Sequence, residues 1–214
     1  MARIKATGDN SKLRQLADSF EKFLDRVSGR EAGQTIQSLV YLADNFIELE
    51  RYAKAIALLQ KVIEHPEAAD EANRASVNRA RLLLARSQAK LGDFDDARAT
   101  IDALLRENMN AKDVIMERGE ILDASGDLGE SIKHWKWVVN RMKQGRPRPP
   151  EFYQAVDRLI ATFLKVSGPD RDKRLKEGEY LSNFLLQTDT NLPPEWRPTF
   201  EKHSAALKAA IGSN

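Results

Sequence analysis

Apolar residues recur at intervals of three and four along most of the chain, with charged or polar residues between them. Leu13, Leu16, Phe20, Phe23, Leu24 and Val27 open the pattern. That spacing places side chains on one face of an α-helix and predicts an amphipathic helix there. Ser11 is a suitable N-cap for it, and Ser28-Gly29 a suitable end. The same periodicity predicts helices at about 32–49, 52–64, 69–91, 94–107, 112–124, 128–142, 151–166, 172–187 and 195–211. Breakers separate them: Pro66, the run Gly145-Arg146-Pro147-Arg148-Pro149-Pro150, Gly168-Pro169 and Pro193-Pro194. No stretch alternates polar and apolar residues for long enough to predict a strand.

A second pattern overlies the first. Ala43, Ala85 and Gly119 stand inside predicted helices, and twelve residues after each comes another small residue, Ala55, Ala97 or Ser131. Tyr52, Phe94 and Leu128 precede the second small residue by three; Leu59, Ile101 and Trp135 follow it by four. Val62, Leu104 and Val138 come three further on. Small residues let two antiparallel helix backbones approach, and bulky ones on the facing helix fill the space between. Trp135 is therefore expected to be buried against Gly119. Gly92 and Gly126, in the turns Gly92-Asp93-Phe94 and Gly126-Asp127-Leu128, are expected just past helix ends with positive φ. Ala85 to Gly119 is 34 residues, as is Ala97 to Ser131, and 34 is the tetratricopeptide period. The segments 39–66, 81–109 and 115–146 resemble tetratricopeptide repeats in where they place small, aromatic and apolar residues.

The departures from that pattern are specific. Ala43 to Ala85 is 42 residues, and the excess lies around 67–79, which predicts an extended first helix in the second hairpin. Arg81 stands where Leu39 and Ile115 stand in the other repeats, and is expected to pack its stem and keep its charge in water. After the proline-rich break, Ala161, Gly168 and Gly178 outline a degenerate fourth hairpin. The resemblance implies an all-α fold, a right-handed superhelix (α-solenoid) of about four helix-turn-helix hairpins. The reading is a loose N-terminus at 1–10 and a single domain at 11–211. That domain has repeats at 32–66, 69–109, 112–144 and 151–188. Helices at 11–28 and 195–211 are read as caps over the open apolar ends of the stack. The ends also suit a piece of a longer chain.

Composition narrows function more than fold. Lys and Arg number 34 against 32 Asp and Glu, a net charge of +2, which argues against strong non-specific nucleic-acid binding. Without cysteine there is no disulfide, thiolate nucleophile or cysteine metal ligand. That fits a cytoplasmic location, with the periplasm open to a chain cut from a longer one. No secretory signal follows Met1-Ala2-Arg3-Ile4-Lys5, and no 18-residue apolar run predicts a membrane span. His65, His134 and His203 fall in different hairpins with no metal-ligand spacing, and His134 beside Trp135 reads as an exposed flank. Gly119, Gly126 and Gly129 serve packing and turns rather than a phosphate loop. These absences predict a non-enzymatic chain with no cofactor.

The resemblance implies that the first helices of successive hairpins line a concave groove. They would present Gln37, Val40, Asp44, Ile47 and Glu48 from the first hairpin, and Arg79, Leu82, Arg86, Ala89 and Lys90 from the second. The third would add Asp113, Met116, Glu120, Asp123 and Ala124, and the fourth Arg158, Thr162 and Lys165. Charge alternates from hairpin to hairpin, and Val40, Leu82 and Met116 form an apolar stripe. The candidate partner-binding residues are Val40, Asp44, Glu48, Arg79, Leu82, Arg86, Lys90, Met116, Glu120 and Asp123. Such a groove implies a scaffold for a peptide or partner helix carrying an acidic residue near its middle. The alternative for these charges is that neighbours merely pair with each other on a solvated face. Asp44, Arg86 and Glu120 occupy the places where chaperone-tail clamps carry Asn, so no carboxylate clamp is expected. Arg141, Lys143, Arg146 and Arg148 make a basic patch at the break, read as a solvated linker. Two other functions are compatible with the sequence: a nucleic-acid-binding repeat using Arg79, Arg86, Lys90 and that patch, and self-assembly through an open end of the stack.

Overall fold

The computed structural model describes residues 10–30, 34–145 and 147–212. Among these residues there are ten α-helices and no strand. They are α1 (Asn10–Ser28), α2 (Ile36–Glu48), α3 (Tyr52–Ile63), α4 (Arg74–Leu91) and α5 (Phe94–Glu107), then α6 (Lys112–Ser125), α7 (Leu128–Met142), α8 (Pro150–Phe163), α9 (Arg171–Thr188) and α10 (Arg197–Gly212). The chain is an all-α array of helical hairpins. It divides into two compact units, α1–α5 up to Asn108 and α6–α10 from Met109.

Local chemistry sets the boundaries. Thr35 and Ser38 cap α2 reciprocally: each side chain accepts from the other residue's backbone N–H. That box starts the helix at Ile36, not near 32. Residues 31–33 of the expected start lie outside the described residues, as do 1–9 of the expected loose N-terminus. Ser11 falls inside α1 rather than capping it. The excess around 67–79 is not one long helical extension. Pro66–Ala69 and Glu71–Asn73 form two short 3₁₀ turns before α4 begins at Arg74. Asn73 clips this insertion in place, donating to the Glu67 carbonyl at 3.0 Å and accepting from Gln37 on α2 at 3.1 Å. Gly92 and Gly126 end α4 and α6 with φ of 89° and 77°, the left-handed conformation that costs a side chain energy.

In the first unit α2 and α3 form one hairpin, α4 packs on both, and α5 packs on α4. Leu39, Phe46, Leu59, Val62 and Leu84 fill the core, and α1 adds Leu24. Ion pairs also hold α1 to α3: Glu21 accepts from Arg51 and Lys54 at 2.8 Å, and Lys54 reaches Asp25 at 2.7 Å. Hydrogen bonds from Lys54 and Arg51 hold the Glu21 carboxyl below its ordinary value. Arg81 pairs with Glu107 on α5 at 2.7 Å.

In the second unit Trp135 of α7 is fully buried. A Cβ at Gly119 of α6 would stand 2.2 Å from the indole, so only glycine permits this approach. Phe152, Tyr153, Val156 and Ile160 of α8 meet Leu175 and Leu185 of α9. Helix α10 adds Phe200 and Leu207 to the same core. Gly178 marks a second close approach, since a Cβ there would meet Leu207 at 3.0 Å.

Candidate functional site

In the first unit the neighbouring first helices α2 and α4 share a polar face. Arg79 donates to Asp44 at 2.8 Å. Val40 is only 7 % exposed and belongs to the core, so it offers nothing to a partner. Leu82 and Arg86 are partly buried; Glu48 and Lys90 are exposed. The face also carries a residue that charge alternation does not single out. Tyr41 lies three residues before Asp44 and four after Gln37, on the same side of α2. It is 66 % exposed, and the Asn45 side chain donates to its carbonyl at 2.7 Å. An exposed aromatic among alternating charges was the available signal.

In the second unit the matching helices are α6 and α8. Glu120 contacts Arg158 at 2.9 Å, and Lys112 contacts Glu151 at 3.5 Å. Burial pushes the Glu120 carboxyl above its ordinary value despite Arg158. Met116 is 9 % exposed and packs inside, so the stripe of Val40, Leu82 and Met116 is not an exposed feature. Asp123 also has an internal role. It accepts from the Trp135 indole N–H at 3.1 Å and from the Ser131 hydroxyl, and the Thr162 hydroxyl lies 3.2 Å away. One carboxylate thereby ties α6, α7 and α8 together.

The basic patch at the break dissolves into separate environments. Arg148 is not a linker cation: its side chain is 7 % exposed and pairs at 2.6 Å with Asp189, whose side chain is 0 % exposed. The Tyr153 hydroxyl donates to the same carboxylate at 3.2 Å. Burial raises the Tyr153 pKa, and Asp189 raises it further. The guanidinium carbon lies 5.0 Å from the Phe152 ring centre and 5.9 Å from that of Phe184. Arg141 lies over Trp137 and donates to Asn110. Lys143 is exposed and donates to Asn140. Arg146 lies outside the described residues.

His134 is buried rather than an exposed flank. One ring nitrogen lies 2.9 Å from the Ile115 carbonyl and the other 3.0 Å from the Arg118 guanidinium. A carbonyl needs a donor and a guanidinium needs an acceptor, so the ring is the neutral Nε2–H tautomer. Among the described residues no group of three or more His, Asp or Glu is placed to hold a metal ion. No helix among them is long and apolar enough to cross a membrane.

The tetratricopeptide repeat family model matches residues 46–116, from the end of α2 into α6. The fold is similar to the crystal structure of MamA, with a TM-score of 0.52 over 96 % of this chain and 95 % of that one. At 13 % identity that likeness concerns the fold alone. No curated protein matches. Residues 46–116 thus resemble the tetratricopeptide repeat within an all-α array of helical hairpins, and repeats of this kind serve in general as non-catalytic scaffolds for protein–protein interaction.

Proposed function

We propose that the chain is a non-enzymatic scaffold that holds a peptide or helical segment of a partner protein against the α2–α4 face. The observation that carries this reading is Tyr41. An aromatic ring left two-thirds in solvent beside the Asp44–Arg79 pair is the kind of anchor that dominates protein interfaces. Arg79, Arg86 and Lys90 follow at helical spacing on α4, so the partner carries an acidic residue near its middle and an apolar one for Tyr41 and Leu82. Such a partner displaces Asp44 from Arg79. The exchange is nearly neutral in energy because exposed pairs contribute about 0–1 kcal/mol. The burial of Arg148 removes a cation from the nucleic-acid reading.

A peptide array probed with the purified chain tests this. Peptides with a central Glu or Asp and a neighbouring apolar residue are expected to bind, and their lysine-centred copies are not. Tyr41→Ala, and separately the Arg79→Glu, Arg86→Glu pair, should abolish selection while circular dichroism stays unchanged. Equal selection by these variants and the unaltered chain would move the site off this face.

A further inference from the structure

Helices α7 and α9 are the second helices of successive hairpins in the second unit. Two adjoining cavities of about 340 and about 280 Å³ lie between them, with α8 as the floor. Phe152, Val156, Leu159 and Phe163 supply that floor. Val139 and Asn140 on one wall and Tyr180 and Leu181 on the other line both cavities and join them into one cleft. Tyr180 is 70 % exposed and stacks on Phe184 with ring centres 6.3 Å apart.

The two ends of the cleft differ. At one, Lys136 of α7 pairs with Glu177 of α9 at 2.6 Å, above the Phe163 ring. At the other stand Lys143 and Arg148. Lys143 has no ion pair among the described residues. Arg148 spends one nitrogen on Asp189, and its Nε is buried without a hydrogen-bond partner. No carboxylate lines the larger cavity. Lys136 to Lys143 is seven residues, as is Glu177 to Phe184, so the cleft runs roughly 10 Å, or two helical turns.

We propose that this cleft docks an amphipathic helix of a partner protein. Apolar side chains at i, i+3 or i+4, and i+7 enter it, and a carboxylate at one end meets Lys143. A two-turn apolar slot between helices fits that side-chain spacing. Lys143, a cation without a matching acid at one end, gives the bound helix its direction. The two cavities lie end to end along two helical turns, so a row of side chains suits the slot better than one compact ligand. The site lies on second helices and stands or falls separately from the α2–α4 face.

The probe is a fluorescein-labelled amphipathic peptide of about sixteen residues, long enough to form helix, with Leu and Phe at that spacing and Glu at one end. A copy carries Lys for Glu. In anisotropy titrations at low salt the Glu probe should saturate the full chain and the Lys probe should bind at least about tenfold more weakly. Tyr180→Glu should weaken the Glu probe at least about tenfold, and Lys143→Glu about threefold to tenfold, as expected for an anchor and a rim charge. Both side chains are exposed, so circular dichroism should be unchanged, and Tyr41→Ala should bind the probe like the unaltered chain. The proposal is overturned if the probe does not saturate, if both probes bind alike, or if Tyr180→Glu leaves binding intact. It is also overturned if Tyr180→Glu lowers the solution mass of the chain, which would make a second copy the occupant.

Discussion

Asp189 accepts from Arg148, Tyr153 and the backbone N–H of Asn191 while its side chain has no solvent exposure. Removing one member of such a pair strands the other's charge in the interior. Asp189→Ala should therefore cost about 3–5 kcal/mol in urea denaturation, and Arg148→Met with Asp189→Leu together should cost less than Asp189→Ala alone. A double variant no more stable than the single one would show that Arg148 finds water when its partner goes. Nothing local announces this pair. Arg148 sits among prolines in a run that looks solvated, and its partner is 41 residues away. Asp123 was obscured differently. Helical spacing puts it in line with Glu120, yet spacing cannot tell an acid facing solvent from one turned toward the indole of Trp135. By contrast Trp135 and Gly119 were legible, because a large residue and a missing Cβ at matched repeat positions have one common explanation.

Helices α7 and α9 are held across their cleft by charge. Burial raises the Glu177 pKa, but Lys136 and Arg174 outweigh it and leave the carboxyl below its ordinary value of 4.5. A carboxyl whose pKa is lowered by folding stabilises the fold above its unfolded pKa and loses that contribution as the pH falls through the folded one. Glu177→Gln should thus be less stable than the unaltered chain at neutral pH, and the gap should shrink in urea melts at about pH 3. A gap that stays constant with pH would mean that Glu177 acts by packing alone. At this scale most boundaries could be read from the chain, since Gly92, Gly126, Pro66 and the 34-residue period punctuate it. The residues 69–73 misled because Ala69 and Ala72 continue the helical pattern, whereas Pro66 and the Asn73 clip favour 3₁₀ turns.

Two apolar clusters stand out among the described residues, one built by α1–α4 around Phe46 and Leu59, the other by α8–α10 around Tyr153 and Phe200. Repeat arrays draw their stability from each repeat and its neighbours, so each core carries its own free energy of unfolding. The period made the repeated hairpins visible in the sequence. It said nothing about where compactness divides, because the break falls at Asn108 and Met109, inside the stretch that matches the repeat family. Trp135, Trp137 and Trp196 are the chain's three tryptophans, and all belong to the second unit. Indole emission is therefore a private signal of one half of the protein, while far-ultraviolet circular dichroism sums helix from both. In a urea titration the red shift should date the loss of the second unit alone, and Leu59→Ala in the first core should move the dichroism curve more than the emission curve. The distance between the two midpoints is an optical ruler for how far the two halves share their fate.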